Sequence, residues 1–283
     1  MKYAVIRKKT LLISASALCL AVVGAVGFWL WKAAGSTAAA SANAQGKLPI
    51  YCVQTEEKKI SLGINCAWDD AQLDQWLQIL QQHDATATFF VVGDWCEKYP
   101  EALKKISDAG HEIGNHSDTH PDMTKLSDDQ IREELKGASQ KIETITGKAP
   151  TLFRAPSGAY NDAVINTAEK LGYTCIQWNV DSIDWKGPTA EQIQERVLQK
   201  LKPGSITLFH LGKQNSLDAL DGILTQAQEQ GYSFVPVSQL IYKENFHLNA
   251  SGKQIPDNSS DSEPSASSAA SQESSAQESE SKE

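Results

Sequence analysis

The sequence predicts an α/β fold, a distorted (β/α) barrel of about seven parallel strands, over residues 58–243. Three observations lead there. β-rich runs alternate with amphipathic helical stretches along the whole segment, and successive β-then-α units give parallel strands with right-handed crossovers. The connections between them are short. Polar residues able to do chemistry recur where strands end and helices begin, which is the working face of such barrels.

The elements follow in order. Residues 60–65 form an apolar strand, and Leu73, Trp76, Leu77 and Leu80 make one stripe of a helix over 71–82. A β-rich run over 86–92 is closed by Gly93-Asp94. A helix over 97–109 stops at Gly110, and 111–115 is the next strand. Ser127 and Gln130 form a capping box that opens a helix running to Thr146. Strand 152–154, helix 161–171, strand 173–178 and helix 189–201 continue the alternation. Strand 205–209, helix 215–230 and strand 232–235 complete it.

Outside the barrel the chain changes character. Residues 1–32 carry Lys2, Arg7, Lys8 and Lys9 ahead of an uncharged run over 11–31 that ends in Trp29 and Trp31. This is the pattern of a transmembrane anchor with the N-terminus inside and the body beyond a bacterial membrane. A cleaved signal peptide, with Ala42-Asn43-Ala44 as its processing site, is the competing reading, and the apolar run is longer than a usual signal core. Cys19 reads as a membrane-buried thiol. Residues 33–57 read as a flexible stalk and 244–283 as a disordered Ser/Glu-rich tail. The net charge is −9. The head contributes positive charge, while residues 254–283 hold seven acids against one lysine. The barrel between them is acidic and has no basic cluster, which excludes nucleic acid as the main partner.

Several clusters fall at predicted strand ends. His116 and His120 are spaced so that one metal can meet both imidazoles, although a chance pair of exposed histidines gives the same spacing. Arg154 to Gly158 closes the fourth strand, Asp181 to Trp185 the fifth, and Leu208 to His210 the sixth. Singly, each is more often an ion pair, a turn or a capped core group. Their succession on one barrel face points to a site.

Together, Ala-Thr-Phe-Phe-Val-Val-Gly (87–93), Gly-His-Glu-Ile-Gly-Asn-His-Ser-x-x-His (110–120), Phe-Arg-x-Pro-x-Gly (153–158), Asp-x-x-Asp-Trp (181–185) and Leu-x-His (208–210) resemble the polysaccharide deacetylase family, the NodB-homology esterases. Ala67-Trp68 resembles the first motif of the membrane-anchored members from spore-forming bacteria. The resemblance implies hydrolysis of N-acetyl groups on an extracytoplasmic amino-sugar polymer. Peptidoglycan comes first as substrate, ahead of chitin-like oligomers and O-acetylated xylan. It implies a divalent metal, zinc before cobalt or manganese, held by His116 and His120. It also implies Arg154 as the residue that orients the base, and His210 as the acid, paired with Asp184. Ser157 would bind the oxyanion through its backbone, Leu208 would line the acetyl-methyl pocket, and Trp185 would contact substrate. His111 would be structural.

The first motif departs from the family. An ungapped alignment from the 87–93 block places Asn65 where the base Asp is expected and Cys66 where the metal Asp is expected. Assigning Asp69-Asp70 to those roles needs a four-residue shift, about 13 Å of extended chain. Three outcomes stay open. Cys66 joins the histidines as a third ligand; Asp69 or Asp70 folds back as base or ligand; or Cys66 pairs with Cys96 in a disulfide. Since an Asn cannot take a proton from water, a domain that binds glycan without cleaving it is the alternative function.

Overall fold

The structure, a computed structural model, describes residues 46–257. Its strands are β1 (Cys52–Val53), β2 (Lys59–Ile60), β3 (Leu62–Cys66), β4 (Ala87–Val91), β5 (Glu112–Asn115) and β6 (Leu152–Phe153). They continue as β7 (Thr174–Cys175), β8 (Val180–Asp181), β9 (Thr207–His210), β10 (Ser233–Phe234), β11 (Phe246–Leu248) and β12 (Lys253–Pro256). Seven of them form one sheet in the order β7-β6-β5-β4-β3-β9-β8, every pairing parallel. The α/β barrel expectation is met, though its membership shifts. The predicted strand 173–178 is only β7, and β8 follows at the other end of the sheet order. Residues 176–179 span that seam. The predicted strand 232–235 leaves the barrel, because β10 pairs with β2 in a separate two-stranded sheet.

The helices match their apolar stripes. Leu73–Gln82 buries Leu73, Trp76 and Leu80, and Asp128–Thr146 carries the Ser127–Gln130 capping box. The predicted helix 97–109 is instead two, Gly93–Lys98 and Pro100–Asp108. Pro100 has no N–H to extend the first helix and is preset to begin the second.

Alternation along β3 decides what the barrel contains. All five of its residues are buried. Leu62, Ile64 and Cys66 point to the helical layer, in one cluster with Trp76, Trp95, Cys96 and Phe209. Gly63 and Asn65 point the other way, into the barrel. A Cβ on Gly63 would lie 2.5 Å from Arg154 Nη2 and 2.6 Å from the Thr207 carbonyl, so only glycine admits the guanidinium there. His111 is structural, as expected. Its Nδ1 accepts from Ala87 N at 3.4 Å and its ring stands 5.4 Å from that of Phe89.

Both ends of the domain extend beyond their expected limits. The segment read as stalk contributes Ile50, which bridges to Ile176, and β1, which pairs with β12. The segment read as disordered tail contributes β11 and β12, an antiparallel pair that completes a three-stranded sheet with β1. These pieces are held by backbone ladders, by one buried amide and by a few separated apolar side chains, Ile50, Val53 and Leu248, that join one hydrophobic cluster, so no hydropathy run marks them. Gln254 is fully buried, accepting from Tyr242 N at 2.8 Å and donating to the Tyr242 carbonyl at 2.7 Å. The predicted membrane span, Cys19 and residues 258–283 lie outside the described residues. Among the described residues no helix is long and apolar enough to cross a membrane.

Two predictions follow from this packing. Gln254→Leu strands both Tyr242 backbone groups and should cost about 1–3 kcal/mol in urea unfolding, an effect a disordered tail would not produce. Burial lowers the His111 imidazole from 6.5 to about 4. Between those values the unfolded chain takes up a proton that the folded chain refuses, so stability from this group is full above the upper value and lost as pH falls. His111→Gln should therefore flatten the fall in unfolding free energy between pH 6.5 and 4, measured by denaturant titration across that range.

Candidate active site

The strand ends open into a cavity of about 440 Å³ lined by Asn65, Ala67, Trp68, His116, His120, Ser157, Gly158, Trp178, Asp181, Trp185, Leu208 and His210. The loops that deliver these residues are strained. Ser117, His120, Ser157 and Ile183 have left-handed φ of 68°, 60°, 55° and 57°. Non-glycine residues in that region cost energy and concentrate at functional sites. The 117–120 loop is tied down by Glu134, whose carboxylate accepts from Asp118 N, Thr119 N and Thr119 Oγ1 at 2.9, 2.8 and 2.8 Å.

His116 and His120 meet as expected, with ring centroids 5.0 Å apart and nearly perpendicular. The His116 Nδ1 lies 2.6 Å from the Arg154 carbonyl. A carbonyl only accepts, so Nδ1 carries the hydrogen. Burial, followed by the charge of neighbouring His120, holds His116 well below its ordinary pKa and keeps the ring neutral. Its Nε2 is then a free lone pair, the form a metal ligand takes. Burial lowers His120 as well.

On the other side of the cavity, His210 Nδ1 lies 2.6 Å from Asp184 Oδ1. Asp184 Oδ2 also accepts from His210 N at 2.8 Å and from Ser216 Oγ at 2.7 Å. Three donors thus hold a buried carboxylate against the imidazole, which leaves Nε2 for the cavity. Leu208, Ser157 and Trp185 line the same space, as their motifs imply.

Arg154 lies fully buried behind this wall. Its Nη1 donates to Asn65 Oδ1 at 3.1 Å and its Nη2 to the Gln177 carbonyl at 3.1 Å. The guanidinium stacks 4.0 Å from the Phe90 ring centroid, and Nε has no partner. Among the described residues no carboxylate pairs with it. Burial lowers its pKa to about 9, and the charge of nearby Asp181 works against that shift.

Three expectations fail. Cys66 cannot be a third metal ligand, because strand parity turns it into the helical core, where burial raises its thiol pKa far above normal. It forms no disulfide with Cys96; Cys52, Cys66, Cys96 and Cys175 are all free. Asp69 and Asp70 do not fold back. Asp69 is exposed, accepts from Ala71 N at 3.0 Å and lies against Gly212; Asp70 caps the approach to the next helix through its carbonyl. Asp181, Trp68 and Trp178 line the cavity, and Ser216 supports Asp184, although no role was read for them in the sequence. Asp181 and Trp68 lie within quoted motifs, whereas Ser216 sits in a helix with nothing to mark it.

The donor set decides whether a catalytic metal fits. Two imidazoles face the cavity, but among the described residues no three His, Cys, Asp or Glu side chains are placed to share one ion. A three-ligand catalytic centre is therefore one donor short.

Comparison with known proteins places this geometry. A family model described as polysaccharide deacetylase matches residues 53–176. The chain is 38% identical over 193 residues to the uncharacterised protein YlxY of Bacillus subtilis (strain 168), covering 68% of this chain and 60% of YlxY. It is 33% identical over 202 residues to the peptidoglycan-N-acetylmuramic acid deacetylase PdaA of the same organism, covering 70% of this chain and 77% of PdaA. The solved structure of BA3943, a CE4 family pseudoenzyme from Bacillus anthracis, matches with TM-score 0.67 at 37% identity, over 74% of this chain and 70% of that one. A BA3943 mutant with restored enzymatic activity matches equally well, with TM-score 0.67. On its motifs, its seven-stranded parallel barrel and these relatives, the chain belongs to the polysaccharide deacetylase family.

Proposed function

We propose that the chain takes an N-acetylated amino-sugar unit of bacterial cell-wall glycan into this cavity and hydrolyses its N-acetyl amide. The observation that carries this reading is the buried Asp184–His210 pair, which opens onto a space bounded by Leu208 and Ser157. With Nδ1 engaged by Asp184, His210 presents Nε2 to the leaving amine as proton donor. The peptide N–H at Ser157 would bind the developing oxyanion, and Leu208 would give the acetyl methyl an apolar wall. Deacetylases of this family are generally metal-dependent; here His116 and His120 are the two imidazoles that face such an ion's place, one donor short of a three-ligand centre. The uncharged run over 11–31 supports placing the domain outside a bacterial membrane on a single-pass anchor.

A second reading is favoured by one observation. Asn65 stands beside Arg154 where the family carries its base, and an amide accepts no proton from water near neutral pH. On that reading the cavity holds acetylated glycan without turning it over, in keeping with the likeness to a pseudoenzyme.

The full chain in detergent, supplied with zinc, cobalt or manganese and N-acetylated glycan, should release acetate. His210→Ala should lower the rate by about 10²-fold or more. Glycan that co-sediments with the protein under every metal, with no acetate released, would establish the second reading instead.

Asn65→Asp probes the same position by stability. The variant gives the buried guanidinium a charged partner and should raise unfolding free energy by about 2 kcal/mol at pH 7. A carboxylate beside a cation has a lowered pKa. The gain should therefore stand above the ordinary carboxylate range and vanish as pH falls through the lowered value. Urea unfolding of both proteins at pH 7 and pH 3 measures it.

A further inference from the structure

Residues 46–53 cross the place where the barrel's own ladder is open. Among the described residues, β7 and β8 stand at opposite ends of the sheet order and do not pair. Ile50 lies along the edge of β7, bridging to Ile176. Its N–H donates to the Cys175 carbonyl at 2.9 Å, and its carbonyl accepts from Gln177 N at 2.7 Å. Val53 N then donates to the Gly204 carbonyl at 2.9 Å, just before β9. The segment is a strap over the seam.

The strap also reaches the turn that carries Ser157. Ser157 and Gly158 are consecutive residues with left-handed φ, 55° and 69°. A Cβ on Gly158 would lie 2.8 Å from the Trp178 ring. Strained backbone of this kind persists only where its surroundings over-determine it. The turn's own bonds are Gly158 N to the Ala155 carbonyl at 3.1 Å and Ala159 N to the Pro156 carbonyl at 3.0 Å. Further restraints come from the strap. Tyr51 and Tyr160 share a hydroxyl–hydroxyl bond of 3.0 Å. Lys47 N donates to Asp162 Oδ1 at 2.8 Å, just beyond the turn. Pro49 lines one narrow internal gap together with Ala155, Tyr160 and Gln177. Gln177, whose N–H the strap holds, donates Nε2 to the Gly158 carbonyl at 3.1 Å. It is 2% exposed, so its amide is shielded from competing water.

We propose that the strap sets the position of the 156–160 turn, with Tyr51 and Gln177 as positioning residues for the Ser157 peptide N–H. Tyr51 acts through Tyr160 and Gln177 through the Gly158 carbonyl, so the turn is held at two points. Loss of either lets Ser157 leave its left-handed conformation while the strands stay in place. Neither Tyr51 nor Gln177 lines the cavity, so their side chains reach a ligand only through the turn. The inference rests on the reading that Ser157 meets an acetylated sugar, and it concerns what holds the residue there.

The full chain in detergent tests this through two readouts. One is amide hydrogen exchange over residues 155–161, and the other is tryptophan-fluorescence titration with a soluble N-acetylated chito-oligomer. Tyr51→Phe keeps the ring and loses only the hydroxyl. It should speed exchange over 155–161 about fivefold and weaken oligomer binding by a similar factor, while the barrel strands exchange as before. Gln177→Met should do the same. Tyr160→Phe should match Tyr51→Phe, and the double variant should be no worse than either, because all three lose one bond. His83→Gln is the control, since the partners of His83, Asp221 and Gln228, lie in another helix; both readouts should stay unchanged. Unchanged exchange in Tyr51→Phe, additive effects of the two tyrosines, equal acceleration in His83→Gln, or faster exchange with undiminished binding would overturn the proposal. An unaltered protein that binds no oligomer would overturn the glycan reading instead, and the exchange rates would still decide for or against the strap.

Discussion

A guanidinium buried inside the barrel organises everything around it. Arg154 occupies the space that Gly63 leaves free, stacks on Phe90, and donates to Asn65 and to the carbonyls of Gln177 and Thr207. Its own carbonyl fixes the hydrogen of His116 on Nδ1. Strands β3, β5, β6 and β9 and the seam at Gln177 are therefore all referred to one cation. That cation has a neutral amide where a charge would balance it. Burying a charge without a counter-ion is costly unless hydrogen bonds spread it, and here three carbonyl oxygens share that task.

The cavity divides into two halves that are unequally equipped. One half is complete: Asp184, held by Ser216 and by the His210 backbone, orients the His210 ring against the space bounded by Leu208. The other half brings together two neutral imidazoles and an amide, and the carboxylate that lines it is Asp181. Asp181 has its own local duty, accepting from Ile183 N at 2.8 Å to shape the turn before Asp184. One imidazole is thus held by a carboxylate in a fixed orientation, while the groups opposite it are poor bases or already engaged.

Much of this was legible in the sequence because it is carried by local pattern. Helical stripes such as Leu73, Trp76 and Leu80 burying together, the Ser127–Gln130 box, and the motifs ending at His120, Arg154, Asp184 and His210 all read directly. What escaped depends on long-range pairing or on parity. β8 and β10 are two residues long and take their place from partners over 25 residues away in the chain, so nothing in their composition assigns them to one sheet or another. β11 and β12 are only three and four residues long and are held by ladders to each other and to β1. Cys66 was a plausible ligand by register, and it is excluded by the alternation that sends every second residue of a strand to the opposite face. Ser216 reaches Asp184 only after its helix has packed, and no spacing rule connects positions 184 and 216.

The same alternation has an evolutionary side. Asn65 and Ala67 face the cavity from β3 and the residues just after it, while Cys66 does not. A cavity-facing carboxylate at either position requires Asp in place of Asn or of Ala, and the genetic code connects each of those pairs by one nucleotide. The protein therefore sits two point mutations from a site with carboxylates at both positions, facing the Asp184–His210 pair. A change at codon 65 leaves untouched the core that Cys66 helps to fill, whereas a change at codon 67 alters a side chain that packs against that core.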